Sequence, residues 1–273
     1  MVLTRRDALK LGLGMSFVPL AGPAFGQDVN TIMRRVDDRP EGDTAELRLT
    51  MILEDRRGNR RERRLRSFRK TYADREALTL FVESPQEVAG TAFLSINPAG
   101  VGSPIDAWLY LPAMNRTRRV ASSNQSDNFM GSDFTYSDII GLEIWDWDYE
   151  IESTSADVGG HDCWVITSTP KPEAASRVDD ETGYSARRIW VRKDNDFVVR
   201  GEFTERTGGT VKLMLTNNVR RIGGIWTPDA ITMATTRGGN LLSRSTIRFD
   251  EARYDMALAD NLFTPDALVR GIR

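Results

Sequence analysis

From Tyr184 to Tyr254 the chain is a series of β-type segments separated by turns only a few residues long. Gly208-Gly209, Gly223-Gly224 and Gly238-Gly239 punctuate the run, and Lys193-Asp194-Asn195-Asp196 supplies an earlier turn. Connections this short join antiparallel neighbours, because a parallel pair needs a crossover of a dozen or more residues. The segments Tyr184–Arg192, Phe197–Thr204, Thr210–Arg220, Ile225–Thr235 and Leu242–Tyr254 therefore predict consecutive hairpins. Such a chain has one economical outcome, a large antiparallel sheet curved over its own core.

The upstream half follows the same logic. Leu47, Leu49, Met51 and Leu53 alternate with polar neighbours in Ala45–Glu54, a half-buried strand pattern. Arg57-Gly58-Asn59 turns the chain into Arg60–Lys70, and Ala77–Glu83, Gly90–Ile96, Asp106–Leu111 and a short basic Arg116–Val120 follow. Trp145 to Glu152 alternates strictly: Trp145, Trp147, Tyr149 and Ile151 on one face, Asp146, Asp148, Glu150 and Glu152 on the other. Gly159-Gly160 leads into His161–Thr169. The count is about eleven strands. Helices are predicted at Val29–Val36, from Tyr136 to Leu142 and after Thr264. The fold class is mainly β, one domain, with a few helices inside the curve and a cavity between them and the sheet.

The stretch from Asp106 to Asp138 carries the functional signal. A strand-like run stops at Pro112, and a polar loop then retains Phe129, Phe134 and Tyr136. Large apolar side chains on a polar loop need an apolar place to sit. Thr135 with Asp138 forms a capping-box pattern, so a helix should begin near Tyr136 with Ile139, Ile140 and Leu142 on its apolar face. The expected element is a lid. The candidate lining of the cavity and lid is Trp108, Tyr110, Phe129, Met130, Phe134, Tyr136, Ile139, Leu142, Trp145 and Trp147. The same residues are equally consistent with plain core.

Chemistry has little to work with. The single cysteine, Cys163, and the single histidine, His161, exclude a disulfide and a multi-His or multi-Cys metal centre. His161-Asp162-Cys163 sits at a strand start, where His161 and Cys163 share a side and Asp162 does not. Asp133 and Asp138 have no nucleophile motif beside them, and no Gly-x-Ser-x-Gly elbow is present. The expectation is a non-enzymatic protein with no cofactor. A formal net charge of −2 argues against a nucleic-acid partner. Arg56, Arg57, Arg60, Arg61, Arg63, Arg64, Arg66 and Arg69 make a basic hairpin suited to anionic headgroups or a partner's acidic surface, with cross-strand ion pairing to the acidic face of Trp145–Glu152 as the plain alternative.

The N-terminus reads as an export leader, residues 1–26. Thr4-Arg5-Arg6-Asp7-Ala8-Leu9-Lys10 fits the twin-arginine pattern, Leu11–Leu20 is an apolar core, and Ala24-Phe25-Gly26 suits cleavage before Gln27. The apolar run is too short for a permanent span. The expected destination is the periplasm, with residues 27–273 as the folded domain.

Phe81-Val82-Glu83-Ser84-Pro85, Gly90-Thr91, Trp108-Leu109-Tyr110-Leu111-Pro112, Arg118-Arg119-Val120 and Gly131-Ser132-Asp133-Phe134-Thr135-Tyr136-Ser137-Asp138 give the chain its family signature. Their spacing resembles the LolA-like outer-membrane lipoprotein-sorting family, in the subgroup found beside RND-type (MMPL-like) exporters. The resemblance implies a half-open antiparallel β-barrel of about eleven strands with helices plugging the concave face. It implies a cavity for a lipid or lipoprotein acyl chain, an inner-membrane exporter as partner and an outer-membrane acceptor. Shielding an acyl chain is worth about 0.8 kcal/mol per CH₂, so a 16-carbon chain gains on the order of 10 kcal/mol. An envelope scaffold of the same fold with a filled core is the alternative.

Overall fold

The structure is a computed structural model and describes residues 28–100, 102–141 and 143–272. The expected leader and Leu142 lie outside the described residues.

One antiparallel sheet contains every strand among the described residues. Its first half is β1 (Thr44–Asp55), β2 (Arg60–Thr71), β3 (Arg75–Ser84), β4 (Ala92–Pro98), β5 (Asp106–Leu111) and β6 (Arg116–Val120). Its second half is β7 (Trp147–Val158), β8 (His161–Pro170), β9 (Tyr184–Arg192), β10 (Val198–Glu205), β11 (Thr210–Ile222), β12 (Ile225–Arg237) and β13 (Asn240–Tyr254). Each half is a meander, and β1 pairs with β13 to join them, with Met51 opposite Ile247. The sheet therefore has thirteen strands, two more than the count of about eleven, with the short basic run at β6 and the acidic run at β7 as its edges. Those two edges are not bonded to each other, so the barrel stays half-open. Charge guards both edges, Arg116, Arg118 and Arg119 on one and Asp148, Glu150 and Glu152 on the other.

Four helices accompany the sheet among the described residues: α1 (Val29–Asp37), α2 (Tyr136–Ile140), α3 (Ala175–Thr182) and α4 (Pro265–Arg270). The helix α3 is not foreseen from the sequence. It buries only Val178 and Thr182, lacks a side-chain N-cap, and so leaves no apolar stripe to read. Gly183 ends it at φ +70°, a left-handed position that favours glycine.

The core has two main faces. Inside the curve, Met51, Leu65, Leu80, Phe93 and Leu109 meet lid residues Phe129, Phe134 and Ile140. On α1, Ile32 and Met33 extend that interior over Ile166, Ile189 and Val191, with Tyr149 touching both groups. On the other face of β2–β5, Phe263 and Leu268 cover Phe68, Phe81, Leu94 and Tyr110.

Two expectations at β7 need correction. Trp145 precedes the strand and is 42% exposed. Asp146 is not on the outer face but buried and ion-paired with Arg177 of α3, Nη2 to Oδ1 at 2.6 Å. The alternation holds only from Trp147 onward, where the backbone enters the ladder opposite Pro170.

Candidate functional site

Residues 121–146 connect the two unpaired edges of the sheet, so topology carries this segment across the open side. It is the lid. A short 3₁₀ turn at Phe129–Gly131 comes first, then α2. The capping box forms as the sequence predicts. The Asp138 N–H donates to Thr135 Oγ1 at 3.0 Å, and the Thr135 N–H donates to Asp138 Oδ2 at 2.8 Å.

Three contacts hold the lid down. Phe129 is fully buried, with its ring centroid 5.5 Å from Phe93 and 5.2 Å from Tyr136, both in edge-like geometry. Asp133 reaches the interior of β12 and β13. There it accepts from Thr235 Oγ1 at 2.6 Å, Ser245 Oγ at 2.6 Å, and Ser243 Oγ. Arg63 of β2 donates from Nη1 to the Met130 carbonyl at 2.5 Å. Met130 itself sits at φ +50°, uncommon for a side chain other than glycine. That conformation turns its carbonyl to Arg63 and its side chain to the pocket below.

The pocket under Met130 has a volume of about 190 Å³. Val82, Val88, Leu109 and Leu111 form its apolar wall with Met130 and Tyr136, and Arg63 and Thr91 are its polar lining. Burial lowers the Arg63 pKa, and the like charge of Arg61 adds to it. Burial raises the Tyr136 phenol, against the pull of the Arg118 guanidinium at the rim.

Deeper in, the interior is polar and occupied. Tyr184 Oη donates to Asp138 at 2.9 Å. Burial raises the Asp138 pKa, countered by the attraction of Lys212 and by these hydrogen bonds. Lys212 is almost fully buried, 3.4 Å from the Glu205 carboxylate. The Arg187 guanidinium lies 3.6 Å over the Trp147 ring and donates to Tyr149 Oη at 3.2 Å.

The predicted lining residues separate into groups. Met130 and Tyr136 line the pocket, Phe129 and Phe134 pack in the lid core, and Ile139 packs against it. Trp147 is buried under Arg187. Trp108 and Tyr110 belong elsewhere: they join the cluster under α4, on the opposite face. The true pocket residues of β5 are Leu109 and Leu111, between and beside them. Both faces of β5 are apolar, so alternation alone cannot say which is the inside. Leu142 lies outside the described residues.

The basic hairpin does not pair with the acidic strand. Arg66 holds Glu46, Arg69 holds Glu41 and Glu76, and Arg60 holds Glu62, whereas Glu152 of β7 holds Arg188. Cys163 is buried, its thiol pushed up to about 11, and its Sγ–H points to the His161 carbonyl at 3.4 Å rather than to the imidazole.

A large open antiparallel sheet with a capped lid across its mouth defines a LolA-like half-barrel. The chain belongs to the family whose model, described as an uncharacterized protein, matches residues 74–270, and its structural neighbours are outer-membrane lipoprotein-sorting, DUF1329 and LolA superfamily proteins. A solved domain from Vibrio parahaemolyticus, described as an outer membrane lipoprotein-sorting protein domain, is 25% identical at a TM-score of 0.77, covering 88% of this chain and 97% of that one. A DUF1329 family protein from Desulfovibrio piger is 27% identical at a TM-score of 0.77, covering 87% and 96%. A LolA superfamily protein from Nitrosomonas europaea shares the fold at a TM-score of 0.64 and 18% identity, covering 87% and 97%. No curated protein matches the sequence. Among the described residues no helix is long and apolar enough to cross a membrane.

Proposed function

We propose that the protein is a periplasmic, non-enzymatic carrier that shields an acyl chain of a lipid or lipoprotein beneath its lid. It receives the chain at the inner membrane in partnership with an RND-type (MMPL-like) exporter and passes it to an outer-membrane acceptor. One observation carries this reading: the segment bridging the two free sheet edges plugs the barrel mouth with aromatics directly above an apolar pocket. The closed pocket, about 190 Å³, is below the ~300–1,000 Å³ of typical ligand sites. Loading a full chain therefore requires the lid to lift and Phe129 and Phe134 to vacate the interior. The family likeness to lipoprotein-sorting domains supports the same reading.

A second reading is favoured by the filled interior itself. Lys212, Arg187 and Asp138 occupy the deep barrel, as suits an envelope scaffold with a solid core. Native mass spectrometry of freshly purified protein separates the two. Co-purified lipid, lost on Phe134→Asp substitution, supports the carrier. A bare mass that binds no lipid class, together with a stable protein partner, supports the scaffold.

A further inference from the structure

Several arginines of this protein are neutralised by carboxylates. Arg66, Arg69, Arg177, Arg188, Arg192 and Arg244 each hold a carboxylate. Arg187 is not, and bonds instead to Ser168 and Tyr149; what sets the lid-pocket arginines apart is the apolar cavity beside them. Arg63 lines the apolar pocket and Arg118 stands at its rim beside the Tyr136 hydroxyl. Neither has a carboxylate partner among the described residues. Among the described residues, Arg63 bonds to a neutral carbonyl, that of Met130.

Asp127 acts on Tyr136 from the rim, and the acids of the adjoining cavity are already committed. Beyond Gly131 a separate polar cavity of about 160 Å³ holds Asp133, Glu54 and Asp55 with Arg61. Asp133 is filled by its hydroxyl donors, Glu54 by Arg244, and Asp55 by Asn59. Nothing there offsets Arg63. A half-buried guanidinium facing an apolar pocket, with a like charge two residues away, is costly to keep without an anion. Arginine also suits a planar or tetrahedral oxyanion because its donors form a fork.

We infer that the lid pocket selects amphiphiles with an anionic head, a carboxylate or a phosphate, with the head on Arg63 and Arg118 and the aliphatic chain against Leu109 and Leu111. This rests on the carrier reading and adds to it the charge of the cargo. The arginine pair reads the head, and the pocket reads the chain.

The test is competition against a neutral fluorescent probe, N-phenyl-1-naphthylamine, bound to the full mature chain. The competitors share a dodecyl chain: dodecanoate, dodecyl phosphate, dodecanol and dodecyltrimethylammonium. Inorganic phosphate is the chainless control. The two anionic amphiphiles should displace the probe at concentrations about tenfold lower than dodecanol, as expected for a hydrogen bond to a charged group. Arg63→Gln should erase that advantage, read within the variant as the ratio of the dodecanol to the dodecanoate displacement concentration, whatever the lid contact to Met130 does to both. Arg118→Gln should reduce it, which covers the case in which Arg63→Gln fails to fold. Arg64→Gln should keep it, since Arg64 lies on the opposite side of β2 from Leu65 of the core.

Equal displacement by the anionic, neutral and cationic chains overturns the head-group inference and leaves the carrier standing. Displacement by inorganic phosphate alone, as effective as dodecyl phosphate, overturns it by making the site an anion site with no role for the chain. Failure of every amphiphile, and of the probe itself, to bind overturns both.

Discussion

Asp133 and Ser245 hold each other twice: the Asp133 backbone N–H donates to Ser245 Oγ at 3.0 Å, and the same hydroxyl donates to Asp133 Oδ2 at 2.6 Å. The pair fastens the lid loop to β13, far along the chain. Thr235 and Ser243 complete the carboxylate's partners from the same two-strand floor. Asp133→Ala leaves three buried or half-buried hydroxyls without their acceptor. Each unsatisfied group costs about 1–3 kcal/mol, although rotation of the hydroxyls to other acceptors offsets part of this. The expected outcome is a loss of roughly 2–4 kcal/mol in lid closure. Hydrogen exchange should show faster opening across residues 128–140, while β1 and β13 keep their protection. Uniform loss across the whole sheet would mean that Asp133 serves the global fold rather than the lid.

Phe129 supplies the apolar half of the same closure. It is 0% exposed and packs on Phe93 and Tyr136. Truncation removes the ring contacts and opens a cavity in the lid core. Phe129→Ala should cost about 3–5 kcal/mol if the lid unfolds with the protein, as for buried aromatics in general. Urea titration followed by circular dichroism measures this. A loss under about 1 kcal/mol would indicate that the lid opens before the sheet unfolds, and would mark it as a separate unit.

Asp138 gives the lid a pH dependence with a definite sign. Its pKa in the closed lid is raised, first by burial, while Lys212, Thr135 and Tyr184 pull it back. The closed state therefore holds its proton more tightly than the open, solvated state does. Closure is favoured fully below the ordinary carboxylate range, about pH 4, and the advantage is lost as pH rises through the raised value. Protection of residues 128–140, corrected for intrinsic exchange, should increase on going from about pH 7 to about pH 5. Glu143 and Glu181 are also raised by burial, with the same sign, so the wild-type curve sums several groups. Asp138→Asn removes one of them and keeps an acceptor for the cap. Its curve should be flatter, and an unchanged slope would assign the effect to the glutamates.

Much of this architecture is legible before folding. Gly-Gly turns and period-two runs define the strands, and Thr135 with Asp138 fixes the first residue of α2. Sheet curvature is different, because it decides which of two apolar faces becomes the interior. Ala107, Leu109 and Leu111 alternate with Trp108 and Tyr110, and both sets are apolar. The larger aromatics look like the better cavity lining, yet they face α4. What places α4 there is Phe263 and Leu268, some 150 residues away in sequence, as the register of neighbours on β3 and β4 allows. Arg63 is hidden for a related reason. It is one of eight arginines in the hairpin from Arg56 to Arg69, and only the pairing of β2 shows that it shares the Leu65 face under the lid.

That assignment of faces makes the sharpest prediction about β5. Leu111 is half-buried in the pocket wall, whereas Trp108 lies on the other side of the same strand against the α4 cluster. A carboxylate at position 111 would face the apolar wall, where an uncompensated charge is costly, yet the side chain is exposed enough to hydrate while the lid is closed. Leu111→Asp should therefore leave the melting temperature nearly unchanged and weaken uptake of N-phenyl-1-naphthylamine by at least about tenfold, equivalent to roughly 1.4 kcal/mol. Trp108→Phe should do the reverse: a small loss of stability, from the vacated contact with α4, and unaltered probe affinity. The two measurements, a thermal melt and a probe titration on each variant, cross over only if the cavity lies on the Leu109 and Leu111 side. Loss of probe binding in Trp108→Phe with retention in Leu111→Asp would put the ligand on the opposite face and remove the lid from its path.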